Sequence, residues 1–213
     1  MEFIDKNLLD YVERHTESES SLLSKINRDT HASVLMPRML SGHLQGRVLS
    51  MICSMIKPKN ILEIGTFTGY SALSMVEHLA HDGLLTTIDI NEELEDRVRT
   101  YFEASGKQNC INYIIGNAVE IIPSLESSFD LVFIDADKIN YTNYYHLVIE
   151  KVNKGGFIIA DNVLWSGKVI QDSQKTDKDL EAILKFNETV HKDPRVTNVL
   201  FPIRDGLMIL RKN

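Results

Sequence analysis

The chain has 213 residues, enough for one domain with a substantial core, and its 43% hydrophobic and 25% charged content is that of an ordinary globular protein. Its 30 acidic against 23 basic residues leave a formal charge of −7, which weakens a nucleic-acid or anionic-membrane function. No apolar run approaches the ~20 residues that cross a bilayer and no charged-then-apolar leader opens the sequence, so the chain is read as cytoplasmic, with Cys53 and Cys110 as buried thiols.

Helical spacing of Phe3, Ile4, Leu8, Leu9 and Val12 predicts a first helix, and Leu22, Leu23 and Ile26 begin a second. Pro37 separates these from a third, in which Leu40, Leu44, Val48, Leu49, Ile52 and Ile56 make an apolar stripe. Gly42 and Gly46 on that helix mark either close approach of a neighbour or ligand, or a loose first turn. From residue 60 short apolar strands over 61–64, 84–88, 111–115, 129–134 and 157–160 alternate with helices over 70–81, 92–104, 118–125 and 141–152. That alternation predicts a parallel sheet covered on both faces, with ligands beyond the carboxyl ends of the strands. A helix over 177–190 and β-rich runs over 196–201 and 207–210, joined through Asp205-Gly206, close the chain as an antiparallel hairpin. The expected organisation is a single domain over 1–213, in which residues 1–57 form a helical extension packed on an α/β core over 58–213.

The first strand runs into Glu63-Ile64-Gly65-Thr66-Phe67-Thr68-Gly69-Tyr70-Ser71. Glycines after a strand let the backbone turn tightly against a ligand. Phe67 occupies the middle glycine position of the dinucleotide fingerprint, so pyrophosphate binding loses its main support, and no Gly-Lys-Ser/Thr ending makes a P-loop. The loop suits a cofactor without phosphates, with Glu63 as the acidic end. Asp89, at the tip of the second strand, is placed to accept from ribose hydroxyls, or else to cap the next helix. Gly116-Asn117-Ala118 is small and polar enough to flank an adenine ring.

The fourth strand delivers Asp135-Ala136-Asp137-Lys138 and the fifth Asp161-Asn162. Adjacent strands stand ~5 Å apart, so the two groups can converge as a hard, oxygen-only ligand set suited to Mg²⁺ or Ca²⁺. The competing role for any one of these aspartates, Asp137 above all, is to cap a helix or hold a turn. Lys138 beside a metal is a candidate to accept a hydroxyl proton. Trp165, the only tryptophan, is either a wall for a flat aromatic substrate or a lid for the core.

The strings LEIGTFTGYSAL (62–73), FDLVFIDADKINYTNYY (129–145) and GGFIIADNVLWSGKV (155–169) resemble the cation-dependent O-methyltransferases, the caffeoyl-coenzyme A and catechol group with its small bacterial members. SGHLQGRVLSMI (41–52) and PIRDGLMILRK (202–212) are also similar, so the resemblance spans roughly 34 to 212. It implies a Rossmann-like class I methyltransferase fold: a seven-stranded, mostly parallel sheet with an antiparallel terminal hairpin and N-terminal helices. It implies S-adenosylmethionine as cofactor, with Glu63, Gly65, Thr66, Gly69, Tyr70, Ser71, Asp89, Ala118 and Asp135 around it. It further implies Mg²⁺, or Mn²⁺ or Ca²⁺, on Asp135, Asp161 and Asn162, with Lys138 and Asp135 catalytic and Met36, Lys138 and Trp165 toward the substrate. The acceptor implied is a small catechol-like or caffeoyl-type vicinal diol and the assembly a homodimer. A transfer-RNA hydroxyuridine acceptor is the runner-up; a nicotinamide oxidoreductase and an inactive binding protein are the rivals from other classes.

Overall fold

The computed structural model describes residues 5–171 and 177–213. Phe3 and Ile4, assigned above to the first helix, lie outside them. Seven strands among the described residues form a mixed sheet, with helices between them. The chain divides into two compact units, one spanning Lys6–Asn117 and the other built on Ala118–Asn213.

The first unit opens with α1 (Lys6–Arg14), α2 (Ser21–Ser33) and α3 (Gly42–Ile56). Ser20 caps α2 by accepting from the Leu23 N–H at 3.2 Å, and Leu23, Ile26 and Thr30 form its buried face. On α3 the apolar stripe is not the deepest face: Gln45, Gly46, Leu49, Ser50 and Cys53 are buried, while Leu44, Val48, Ile52 and Ile56 are half-covered. The reason lies in Gly46, where an added Cβ would stand 2.6 Å from the Tyr70 ring and 2.9 Å from Ser74 Oγ. Its missing side chain lets α4 (Tyr70–Val76) approach, so a small, partly polar face packs inward. Polar groups on this face find partners: Ser50 donates to Glu77 at 2.7 Å, and Arg47 donates to both Glu77 oxygens at 2.8 Å. Gly42 instead has a φ of +71° and open space around it, the loose first turn.

β1 (Asn60–Ile64), β2 (Leu84–Asp89) and β3 (Ile111–Ile115) pair in parallel in the order β3-β2-β1, Ile64 opposite Ile88 and Asp89 opposite Ile115. All seven residues of α4 are buried. The helix ends before residue 81, the predicted limit, because the Ala80 N–H turns away to donate to the Pro58 carbonyl at 2.9 Å. The helix expected over 92–104 is a 3-10 turn, Glu92–Leu94, followed by α5 (Glu95–Ala104).

In the second unit α6 (Ala118–Ile121) and a 3-10 turn at Ile122–Ser124 precede β4 (Phe129–Ile134). α7 (Tyr141–Val148) is shorter than predicted, because β5 (Val152–Ala160) begins well before residue 157. The early start was hidden by a bulge: Phe129 pairs with Val152 but Leu131 with Phe157. Gly156 lies in it, where a Cβ would meet the Asn153 and Asp130 carbonyls at 2.9 and 3.0 Å. Asp177 caps α8 (Lys178–Lys192), which buries Leu180, Ile183, Phe186 and Val190. β6 (Val196–Phe201) and β7 (Leu207–Lys212) form the expected antiparallel hairpin, with β7 inserted between β5 and β6.

Candidate active site

In the first unit the glycine loop is a left-handed turn held by acidic residues. Gly65 and Gly69 have φ of +101° and +80°, and Phe67 between them has +48°. Successive N–H groups in such a turn point inward and gather an anion. Here the anion is Asp89, whose Oδ2 accepts from Thr66 N–H at 2.9 Å and Phe67 N–H at 2.7 Å. Its Oδ1 accepts from Asn91 N–H at 2.8 Å. A carboxylate offers about four acceptor positions, so three are spent on holding the loop and the start of the next segment.

Glu63 is fully buried, and a buried carboxylate is tolerated only when hydrogen-bonded. Ser71 Oγ donates to its Oε1 and Thr87 Oγ1 to its Oε2, which ties β1 to β2 and to the first turn of α4. Thr66 is buried with its hydroxyl against that of Thr87. Tyr70 is also buried, its hydroxyl donating to Glu19, and burial together with that carboxylate pushes the phenol well above its ordinary range. Its side chain therefore serves the packing of α4 against α3.

In the second unit the register of β4 on β5 brings the acidic residues together. Ile134 pairs with Ala160, so Asp135 and Asp161 are the next residues beyond two paired positions on adjacent parallel strands. The Asp161 N–H donates to the Ile134 carbonyl at 3.0 Å, continuing the ladder to the tip. Asp161 is 2% exposed, and its Oδ1 accepts from the Asn162 N–H at 2.7 Å. Asn162 itself adopts a left-handed φ of +58°. Among the described residues no three His, Cys, Asp or Glu side chains cluster as a metal site. Asp135, Asp161 and Asn162 offer two carboxylates and one amide instead, all oxygen donors, and that chemistry fits a hard cation.

Lys138 is buried within a 3-10 turn, Lys138–Asn140, that leads into α7. Its Nζ donates to Asp135 Oδ1 at 3.2 Å and to the Tyr141 hydroxyl, and lies 4.5 Å from the Tyr141 ring centre. Tyr141 is fully buried, and its hydroxyl donates in turn to the Asp161 carbonyl at 3.0 Å. Burial and the surrounding carboxylates Asp135, Asp161 and Asp137 push this phenol well upward, so it stays protonated. Tyr141 was missed in the sequence, where it reads as one aromatic among several in a helix; the available signal is its spacing of three from Lys138. Asp137 is exposed and holds the turn, accepting from Asn140 Nδ2 at 2.7 Å and from the Tyr144 hydroxyl at 2.5 Å.

The remaining predicted residues are spread over both units. In the first, Met36 is half-exposed with a left-handed φ of +56°, just before the 3-10 turn Pro37–Met39. In the second, Ala118 is buried at the start of α6, and Trp165 is half-buried at the start of the 3-10 segment Trp165–Ile170. No helix among the described residues is long and apolar enough to cross a membrane.

A family profile described as O-methyltransferase matches residues 13–213. The chain belongs to the O-methyltransferase family. Within it the chain is of the cation-dependent, caffeoyl-CoA and catechol type, which its motifs resemble. It is 32% identical over 204 residues to a caffeoyl-CoA O-methyltransferase of Stellaria longipes, covering 91% of this chain and 84% of that one. The structure of a Bacillus cereus O-methyltransferase in complex with S-adenosylhomocysteine matches with a TM-score of 0.89 at 26% identity, over 97% of each chain. The O-methyltransferase TomG of Streptomyces achromogenes, in complex with S-adenosylmethionine and involved in tomaymycin synthesis, matches with 0.88 at 25% identity, over 97% of this chain and 96% of that one. This O-methyltransferase accordingly has the class I Rossmann-like fold and is an S-adenosylmethionine-dependent enzyme.

Proposed function

We propose that this O-methyltransferase methylates one of two adjacent hydroxyls of a small catechol-like or caffeoyl-type aromatic, with a divalent cation on Asp135, Asp161 and Asn162. Mg²⁺ is the favoured ion, with Mn²⁺ or Ca²⁺ as substitutes. The observation that carries the reading is the register in which Asp135 and Asp161 follow the paired residues Ile134 and Ala160, with Asn162 next in chain and Lys138 on Asp135. The name of the Stellaria longipes relative supports a phenylpropanoid-like acceptor.

When bound, S-adenosylmethionine supplies a sulfonium methyl group and the cation supplies Lewis acidity and a two-point template for adjacent oxygens. In this proposal Glu63 and Ser71, joined by one hydrogen bond, hold the amino-acid end of the cofactor. Asp89 keeps Gly65, Thr66 and Gly69 in the shape that receives it, Tyr70 and Ala118 border it, and Asp135 serves both cofactor and cation. Lys138 takes the acceptor's proton at Nζ. Hydrogen bonds from Nζ to Asp135 and to the Tyr141 hydroxyl fix its position for that role. Met36 and Trp165 border the acceptor. The enzyme works as a homodimer, for which Leu8 and Tyr11 on α1 and Met51 and Met55 on α3 provide exposed apolar surface.

The test is methyl transfer to paired acceptors, a 3,4-dihydroxylated aromatic against its 4-hydroxy analogue, with Mg²⁺. Turnover confined to the vicinal diol supports the two-oxygen acceptor. Equal turnover of both contradicts it, and methylation of hydroxyuridine-containing transfer RNA alone replaces it with the nucleic-acid reading.

A further inference from the structure

The loop after Asn162 carries its tryptophan on a backbone that would not choose that shape unaided. Trp165, Ser166 and Gly167 have consecutive φ of +48°, +51° and +77°. A bulky aromatic in the left-handed region is an outlier that persists only where its surroundings over-determine it. The backbone is held by the turn between β6 and β7. Leu164 N–H donates to the Asp205 carbonyl at 2.9 Å, and Ser166 N–H to Asp205 Oδ1 at 2.5 Å. Gly206 closes against Leu164 so tightly that a Cβ there would stand 2.5 Å from Leu164 Cγ.

The side chain is held from another element. Trp165 Nε1–H donates to Asp177 Oδ2 at 3.2 Å, and Lys168 Nζ donates to the same oxygen at 2.8 Å while lying 5.7 Å from the indole centre. The other oxygen of Asp177 accepts from Leu180 N–H at 3.1 Å and so caps α8. α8 is itself fixed by its buried face, and its Asn187 donates to the Val163 carbonyl at 2.9 Å, at the root of the same loop. One carboxylate thus joins a helix terminus to the only tryptophan of the chain.

We propose that Asp177 is a positioning residue that sets the orientation of the Trp165 indole and thereby the fit of the aromatic acceptor. The proposal rests on the reading in which Trp165 borders the acceptor. With the ring tied to α8 and the backbone to the hairpin, the aromatic wall is preset. Acceptor fit then depends on a residue that touches neither substrate nor cofactor.

Two substitutions separate this role from helix capping. Asp177→Ser keeps a side chain that caps helices well but is too short to reach the indole, whereas Asp177→Ala removes cap and tether together. Because Trp165 is the sole tryptophan, acrylamide quenching of its fluorescence reads the tether without any turnover. The expected result for Asp177→Ser is a melting temperature above that of Asp177→Ala, stronger quenching, and unchanged cofactor affinity. Its KM for the vicinal diol should rise about fivefold or more while kcat changes less. Unchanged quenching overturns the tether, and stronger quenching with an unchanged KM overturns its role in acceptor fit. If the parent methylates no vicinal diol, the acceptor reading fails by itself, and the quenching comparison still decides whether Asp177 holds Trp165.

Discussion

The Tyr141 hydroxyl accepts a hydrogen bond from Lys138 Nζ while giving its own proton to the Asp161 carbonyl at 3.0 Å. A buried phenol that cannot ionise is a one-way link: it fixes one lysine hydrogen and is itself fixed by the strand end that carries Asp161. Tyr141→Phe keeps the ring in the core and deletes only this link. Turnover should fall about tenfold with acceptor KM little changed, the effect of losing one hydrogen bond of about 1.4 kcal/mol in the transition state. Steady-state kinetics on the vicinal diol checks it; an unaltered kcat would remove Tyr141 from the account.

Asp89→Ala takes away the acceptor that gathers Thr66 N–H and Phe67 N–H. Hydrogen bonds to a charged group contribute about 1.5–3 kcal/mol. Affinity for S-adenosylhomocysteine, titrated calorimetrically, should weaken at least about tenfold as the left-handed turn relaxes. Retained affinity would mean that the loop keeps its shape without Asp89.

Gly46→Ala should destabilise the fold by about 1–3 kcal/mol, because its Cβ meets the Tyr70 ring and the Ser74 hydroxyl, both buried. Gly42→Ala meets nothing and should cost about 1 kcal/mol, from its positive φ alone. Urea unfolding of the two variants distinguishes them, and equal losses would contradict the close approach of α3 and α4.

The pattern of strands was legible because parallel strands are buried on both faces, so runs such as Leu131–Ile134 are apolar and buried up to Asp135 at the strand end. The acidic residues were legible for the same reason: a carboxylate following such a run stands at the strand's carboxyl end. Periodicity failed on α3, where the inward face is chosen by Gly46 and by Glu77, a partner 27 residues from Ser50 that no local pattern reveals. It failed again at β5, because a bulge with two glycines breaks the alternation of a strand that nevertheless continues. The loop was found by its glycines, but the roles of Glu63 and Asp89 in bracing it depend on cross-strand neighbours such as Thr87.

The Lys168 ammonium, the Leu180 N–H and the Trp165 indole hold the Asp177 carboxyl down at about 2, against an ordinary 3.8. A carboxyl depressed on folding contributes stability that is complete above its unfolded value and disappears as the pH falls through its folded one. The melting-temperature gap between the parent and Asp177→Ala should therefore be constant from pH 7 to about 5 and shrink as the pH falls from about 4 toward 2. Thermal melts across that range check it; a gap that shrinks only above pH 5 would show that another group is responsible.

The most direct measurement of the metal-assisted account is the rate of methyl transfer as Mg²⁺ is removed by chelation and then restored, in the parent and in Asp135→Ala and Asp161→Ala. Parent turnover should vanish with chelator and return on titration with Mg²⁺. Asp161→Ala should bind S-adenosylhomocysteine as the parent does and Asp135→Ala more weakly, yet both should stay at least about a hundredfold slower at saturating cofactor and any Mg²⁺ concentration. Turnover by the parent that is indifferent to chelation would contradict metal assistance.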